Sequence, residues 1–288
     1  MNLLNNFDYE RLNVDLVVVS YNGVYKTQIP DQVRVIPLFR SDFLVRVLAF
    51  FQKRVGFSAL FEFQTRRKVK TAYHTAVCFL DSNFTQLLFY LNAKKKVTWV
   101  HASYRTYSNF ARFYEVESYR NRLISQRYRR LDAVAFVSQD AKQEFIEVFG
   151  EYEEMPVIYN LINRREIMEK SVGYEIPIRN YFQFLAIGSL YPVKGFDNLI
   201  RAARLVKDRG YKFGLDILGD GYLKDDLNQL IKDLSLQDEV NLLGFKSNPY
   251  PILKNCDVFI MSSISEALPT VLCEAMILGK PVAATNCS

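Results

Sequence analysis

Between residues 184 and 261 the sequence alternates between short apolar runs and longer stretches of helical periodicity. The runs 184–188, 215–219, 240–244 and 257–261 have the length of strands, and 196–209, 223–234 and 249–255 between them read as helices. Parallel neighbours need a crossover, usually a helix, so this order predicts a parallel sheet with helices on both faces. Three of the runs close on glycine, at Gly188, Gly219 and Gly244, and Gly221 follows shortly after the second. Glycine there lets backbone approach a ligand closely, and a tight strand-to-helix turn asks for it as well.

The stretch from Ser262 to Thr285 carries the acidic residues that matter most. Pro269 suits the first turn of a helix, Gly279 suits the residue past its end and Pro281 forbids continuation, so a helix of about three turns is expected. Glu266 then lies in the loop before it and Glu274 inside it, within the apolar sequence Val271-Leu-Cys-Glu-Ala-Met-Ile-Leu278. A carboxylate in such surroundings is costly unless something hydrogen-bonds it. Its two oxygens suit a pair of vicinal hydroxyls, as on a ribose, while the first N–H groups of the helix, near Thr270 and Val271, suit a phosphate. Taken singly, Glu274 also fits an exposed position on an amphipathic helix, and Glu266 fits a cap.

In the first half, 14–19, 33–36, 76–80, 97–100, 133–137 and 156–160 read as strands; helices are expected at 84–92 and, capped by Ser138, up to residue 149. His101 directly follows 97–100. Ligands of open α/β sheets bind beyond the carboxyl ends of strands, which makes His101 a candidate, whereas His74 precedes its strand and reads as structural. Residues 40–70 are helical in periodicity, broken near Gly56, with eight bases and two acids. There Phe43, Leu44, Val47, Phe50 and Phe51 stand among Arg46, Lys53 and Arg54, a pattern of a core stripe or of a face for an anionic membrane. Another helical stretch, 105–130, holds seven arginines and two glutamates, a solvated face that would also draw phosphate-bearing acceptors. No RNA- or DNA-binding motif accompanies these bases, so nucleic acid is not an expected partner.

A chain of 288 residues suits two domains, and 171–181, with Gly173, Pro177 and Asn180, reads as the linker between 1–172 and 173–288. Charge follows the same division. The first part has 25 Lys and Arg against 18 Asp and Glu, or +7, and the second 12 against 13, or −1. Cys78, Cys256, Cys273 and Cys287 show no C-x-x-C spacing, which argues against a zinc site or disulfide framework and for a reducing compartment. No apolar run has the length of a membrane span and no signal peptide opens the sequence, so a cytoplasmic location is expected.

The spacing Glu266-x7-Glu274, with Pro269 between and Gly279-Lys-Pro-Val after, resembles the signature of the retaining nucleotide-sugar glycosyltransferases of family four, with their two Rossmann-like domains (the GT-B fold). The resemblance runs nearly the whole length. A strand ends in Val137-Ser138, another ends in Asn160, and Lys194 stands in Leu190-Tyr-Pro-Val-Lys-Gly-Phe196, where the family has its diphosphate lysine. It implies an α/β fold with two doubly wound parallel sheets, 1–172 binding the acceptor and 173–288 the nucleotide sugar. It also implies that the family's first strand and its C-terminal closing elements are missing, so residues 1–288 alone are expected to be inactive and poorly stable.

The resemblance places Glu274 on the ribose, Lys194 and the N–H groups near Thr270 and Val271 on the diphosphate, the Phe245 backbone on the base, and Glu266 with His101 on the transferred sugar. Gly188, Ser189, Gly219, Gly221, Ala267, Leu268 and Pro269 complete the implied donor site. Ser189 stands where the family commonly has arginine, which leaves one of two phosphate cations open. Ala267 replaces a usual glycine, narrowing the pocket, and Asn163 a common aspartate. The implied activity is retaining hexosyl transfer from a nucleoside diphosphate sugar, UDP favoured, to a saccharide or lipid-linked saccharide in cell-surface polysaccharide synthesis. No cofactor is implied, and with no Asp-x-Asp pair in the chain no metal is expected. The basic half suggests peripheral attachment to the inner face of a membrane. Two other readings stay open: a sugar-nucleotide epimerase of the same architecture, and a non-catalytic subunit binding a partner or membrane through its basic half.

Overall fold

The structure is a computed structural model that describes residues 2–21, 26–40, 45, 59–104, 116–173 and 180–287. Its backbone divides into two compact units, one holding the described residues up to His101 and from 116 to Leu161, the other holding those from Ile162 onward with a short piece beginning at Ala102.

The first unit opens with α1 (Asn2–Asn5), then β1 (Asp15–Ser20) and β2 (Arg34–Phe39), which pair in parallel from Asp15↔Arg34 to Ser20↔Phe39. After α2 (Ala59–Lys68) come β3 (Tyr73–Cys78), β4 (Ala93–Val100), α3 (Glu117–Gln126), β5 (Ala133–Phe136) and α4 (Gln139–Phe149), with β3-β4-β5 forming a second parallel sheet. Among the described residues no backbone ladder joins the two sheets. Side chains do: the Asp15 carboxylate accepts from Arg34 Nε at 2.9 Å and from the Tyr73 hydroxyl at 2.6 Å, while Arg34 Nη2 also donates to Thr71 Oγ1 at 2.9 Å. The guanidinium holds the Asp15 carboxyl below its ordinary range.

Several local expectations shift here. His74 lies inside β3, not ahead of it, and is exposed. The helix expected at 84–92 is a 3-10 helix, Asn83–Tyr90, closed at its start by a reciprocal Ser82/Thr85 capping box. Segment 154–158 runs beside β5, with Phe136 N–H donating to the Pro156 carbonyl and Ile158 N–H to that of Phe136, but makes only one bridge, because Pro156 has no N–H to extend a ladder. Of the stretch 40–70, residues 41–44 and 46–58 lie outside the described residues, as do 105–115 of the arginine-rich stretch and 174–179 of the linker. Asp81, just past β3, is buried and accepts from Thr85 Oγ1, Thr98 Oγ1 and the Tyr128 hydroxyl at 2.9, 3.2 and 2.8 Å, a polar knot that the sequence did not announce.

The second unit begins with a helix the periodicity did not reveal, α5 (Arg164–Lys170), whose first turn is capped by Asn163 accepting from Glu166 N–H at 3.1 Å. This is where asparagine stands in place of the family's aspartate, and it serves the cap equally well. There follow β6 (Phe182–Ile187), α6 (Phe196–Asp208), β7 (Phe213–Leu218), α7 (Lys224–Asp233), β8 (Val240–Gly244), α8 (Tyr250–Asn255), β9 (Val258–Met261), α9 (Thr270–Ile277) and β10 (Val282–Ala284). All strands are parallel, in the order β10-β9-β6-β7-β8.

Alternate residues of β6 face opposite ways. Phe184 and Ala186 join a core with Leu199 and Ile200 of α6 and Leu227 and Ile231 of α7. Leu185 and Ile187 join another with Leu253 of α8 and Ala275 of α9. The sheet is thus covered on both faces, as the alternation requires. Its order also has a consequence for binding. From β6 the chain builds outward through β7 and β8, then returns to place β9 on β6's other side. The loops after β6 and β9 therefore lead to helices on opposite faces, which makes the carboxyl end of these two strands the switch point, the usual ligand position in such folds.

Candidate active site

Two loops meet at that switch point. The one after β6 passes Gly188 and turns through a 3-10 turn, Pro192–Lys194, into Gly195, whose φ of 60° is left-handed. A Cβ on Gly195 would stand 2.3 Å from the Ser262 carbonyl oxygen, so glycine is what lets this loop lie against the one after β9. The contact is bonded: Ile264 N–H donates to the Val193 carbonyl and Ser262 Oγ to the Lys194 carbonyl, each at 2.8 Å. The Lys194 stem lies over Gly188, where a Cβ would meet its Cδ at 3.3 Å. Its Nζ reaches Glu266 Oε1 at 2.5 Å, and the same oxygen accepts from Ser263 Oγ at 2.7 Å. The side chains of Lys194 and Glu266 are 24% and 16% exposed, so this pair is shielded well beyond an ordinary surface bridge.

Glu274 lies inside α9 as the sequence indicated, although the helix is eight residues long, about two turns rather than three. Pro269 sits at its N-cap with ψ 87° and not within the first turn, and Gly279, at φ 71°, closes the other end. The Tyr250 hydroxyl, from α8, donates to Glu274 Oε1 at 3.4 Å, a long bond. Burial pushes the Glu274 carboxyl above its ordinary value, and the long bond from Tyr250 only partly opposes this. Thr270 and Val271 open the helix, whose first N–H groups have no acceptor within it. Ala267 and Leu268, in the loop before, are partly buried, and Phe245, just past β8, is half exposed.

The glycines at the strand ends serve the protein's own backbone. A Cβ on Gly219 would lie 1.7 Å from the Gly188 carbonyl oxygen, and one on Gly221 2.6 Å from that of Leu190. Leu190 N–H in turn donates to the Asp220 carbonyl at 2.9 Å. These contacts fix the loop carrying Ser189 against the neighbouring turn.

His101 belongs to the first unit, and the residues above to the second. It follows β4 directly and packs against Phe79 and Trp99, ring centroids 4.6 and 5.3 Å away. Burial lowers its pKa, and its Nε2 is shielded from solvent with no hydrogen-bond partner among the described residues. Reading the sequence missed Ser262, Ser263 and Tyr250. Hydroxyls in Ser262-Ser-Ile-Ser-Glu266, where an apolar strand stops, were the available signal for the first two. Among the described residues no three His, Cys, Asp or Glu side chains gather as a metal site.

An open parallel sheet covered on both faces, with a shielded lysine–carboxylate pair where its strand order reverses, defines a doubly wound α/β protein, a class whose ligands generally sit at that switch point. This chain belongs to glycosyltransferase family 4: the model described as Glycosyltransferase Family 4 matches residues 2–166, and that of the glycosyl transferases group 1 matches 175–288. It is 32% identical over 186 residues to a glycosyltransferase of Methanocaldococcus jannaschii, covering 60% of this chain and 46% of that protein. It is 34% identical over 166 residues to the N-acetylgalactosamine-N,N'-diacetylbacillosaminyl-diphospho-undecaprenol 4-alpha-N-acetylgalactosaminyltransferase of Campylobacter jejuni, covering 57% and 44%. The chain thus spans under half the length of these curated relatives. Among solved structures, Anabaena HepE in complex with UDP and glucose matches with a TM-score of 0.65 at 19% identity, over 95% of this chain and 73% of that one, a likeness of GT-B fold.

Proposed function

We propose that this chain moves a sugar from a nucleoside diphosphate sugar, UDP favoured, to a saccharide or lipid-linked saccharide, with retention and without a metal, in the synthesis of polysaccharide or lipid-linked glycan. The observation that carries the reading is Lys194, held at the sheet's reversal point against Glu266. Transfer leaves negative charge on the departing diphosphate while the sugar becomes cationic, and an ammonium and helix N–H groups placed there oppose that cost. In this reading Lys194, Thr270 and Val271 take the diphosphate, Glu274 the ribose hydroxyls, the Phe245 backbone the base, and Glu266 and His101 the sugar. Gly188, Ser189, Gly219, Gly221, Ala267, Leu268 and Pro269 shape the donor pocket. Residues 1–172 take the acceptor and 173–288 the donor. The name of the Campylobacter relative, the UDP and glucose held by HepE, and an Escherichia coli relative named for UDP-Gal support this choice of substrates.

Calorimetric titration with UDP, GDP and ADP, followed by transfer assays from UDP-sugars to lipid-linked saccharides, tests it. UDP should bind best and the product should keep the donor's anomeric configuration. Absence of binding to any nucleoside diphosphate would overturn the donor reading, an inverted product the retention, and loss of transfer in EDTA the metal independence.

A peripheral place on an anionic membrane is proposed on the charge of the first half and the exposed Lys94 and Lys95 at the start of β4. No described helix is long and apolar enough to cross a membrane. Binding to vesicles should require anionic lipid and fade with salt; equal binding to neutral vesicles argues against it.

A further inference from the structure

We infer that Glu266 has a second role: by holding Lys194 it opposes nucleoside diphosphates that carry no sugar, and so makes the site selective for the intact donor over the spent one. The inference rests on the donor reading above and concerns what the ion pair does within it.

A diphosphate that takes Lys194 competes with Glu266 for it, because Nζ and Oε1 are 2.5 Å apart: if the ammonium is shared it stands between two anions in a shielded place, and if it is taken Glu266 is left behind. The lysine backbone cannot follow the ligand. Its carbonyl is held by Ser262 Oγ and that of Val193 by Ile264 N–H, and the stem rests on Gly188, so only the end of the side chain can swing. Once Lys194 has turned, Glu266 keeps Ser263 Oγ as a donor but loses its counter-charge, with only 16% of its side chain exposed. A shielded carboxylate stripped of its partner is destabilising unless new donors reach it. A sugar on the distal phosphate brings hydroxyls that donate to a carboxylate; a nucleoside diphosphate alone brings none at that end, its ribose hydroxyls being assigned to Glu274. The penalty is therefore offset for the donor and not for the product, which favours exchange of one for the other. Ser263, itself 3% exposed, is a positioning residue here, since it fixes the oxygen that Lys194 leaves.

Glu266→Gln tests this, as it keeps the shape and removes the charge. Affinities for UDP, inorganic pyrophosphate and UDP-glucose would be measured by calorimetry in wild type, E266Q, K194M and the double variant, with thermal melts to establish folding. E266Q should bind UDP and pyrophosphate about tenfold more tightly, while UDP-glucose gains nothing, so the preference for the sugar-bearing ligand collapses. In the K194M background the gain should vanish, a coupling that a merely structural role for Glu266 would not produce. Ser263→Ala should act in the opposite direction, weakening UDP more than UDP-glucose, and decides the question if E266Q fails to fold. UDP binding unchanged in E266Q, or a gain that persists without Lys194, overturns the inference while leaving the donor site standing. Failure of the wild type to bind any of the three ligands overturns both.

Discussion

Lys194 and Glu266 stand 72 residues apart in the chain and 2.5 Å apart in the fold. The return of β9 to the far side of β6 brings them together, since it sets the loops after these two strands side by side at one end of the sheet. In the proposed donor site the ammonium is already at the place of the diphosphate, which competes with the Glu266 carboxylate for it.

Lys194→Ala should weaken UDP by about 1.5–3 kcal/mol and uridine hardly at all, because only the diphosphate presents charge to the ammonium. Parallel titrations of the nucleotide and the nucleoside check this. Equal losses for both would place Lys194 elsewhere than on the phosphates.

Glu274→Ala should weaken UDP by about 1.5–3 kcal/mol, the scale of hydrogen bonds to a charged group. Burial raises the pKa of this carboxyl, so the folded protein binds its proton more readily than the unfolded chain does. Stability should accordingly fall as pH rises from the ordinary value of 4.5 through the raised one, and Glu274→Gln should remove that fall. Nucleotide affinity should move the opposite way, declining as pH drops through the raised value, since hydroxyls bond best to the ionised form. Denaturant unfolding and calorimetry over a pH series read the two effects separately.

Gly219→Ala should destabilise the second unit by about 1–3 kcal/mol, through a φ of 147° that side chains rarely adopt and a Cβ driven onto the Gly188 carbonyl. Gly210→Ala serves as the comparison: its φ of 79° is also left-handed, but nothing stands within 4 Å of its Cβ. Melting curves of the two variants separate crowding from backbone strain; equal losses would mean that the approach of the two loops contributes nothing.

His101→Ala should lower turnover more than UDP affinity, if the imidazole serves the sugar and not the base or ribose. Burial holds its pKa below the ordinary 6.5, so it is neutral at pH 7 and can share or accept a hydrogen bond without carrying charge. Kinetics alongside calorimetry distinguish the outcomes, and a matching loss of nucleotide binding would contradict this role.

Periodicity and punctuation are local, and what they govern was readable in the sequence. The alternation from 184 to 261 determined β6 to β9 and their helices to within about two residues. Gly279 and Pro281 determined where α9 stops, and therefore that Glu274 is helical while Glu266 is not. The same reading failed where a local pattern was ambiguous or overruled. The helix expected at 84–92 is a 3-10 helix over Asn83–Tyr90 under the Ser82/Thr85 box, and the run at 156–160 makes a single bridge to β5, with Pro156 unable to donate the N–H that would carry the pairing back to Met155. Only the tertiary structure decided which side chains share a site. That Ser263 and Lys194 meet on one oxygen of Glu266, or that Tyr250 reaches Glu274, depends on the order of strands in the sheet and on loops drawn together by their backbones. Those contacts join residues 24 to 72 positions apart, except for Ser263, and a pattern with a period of two or 3.6 residues carries no information over such distances.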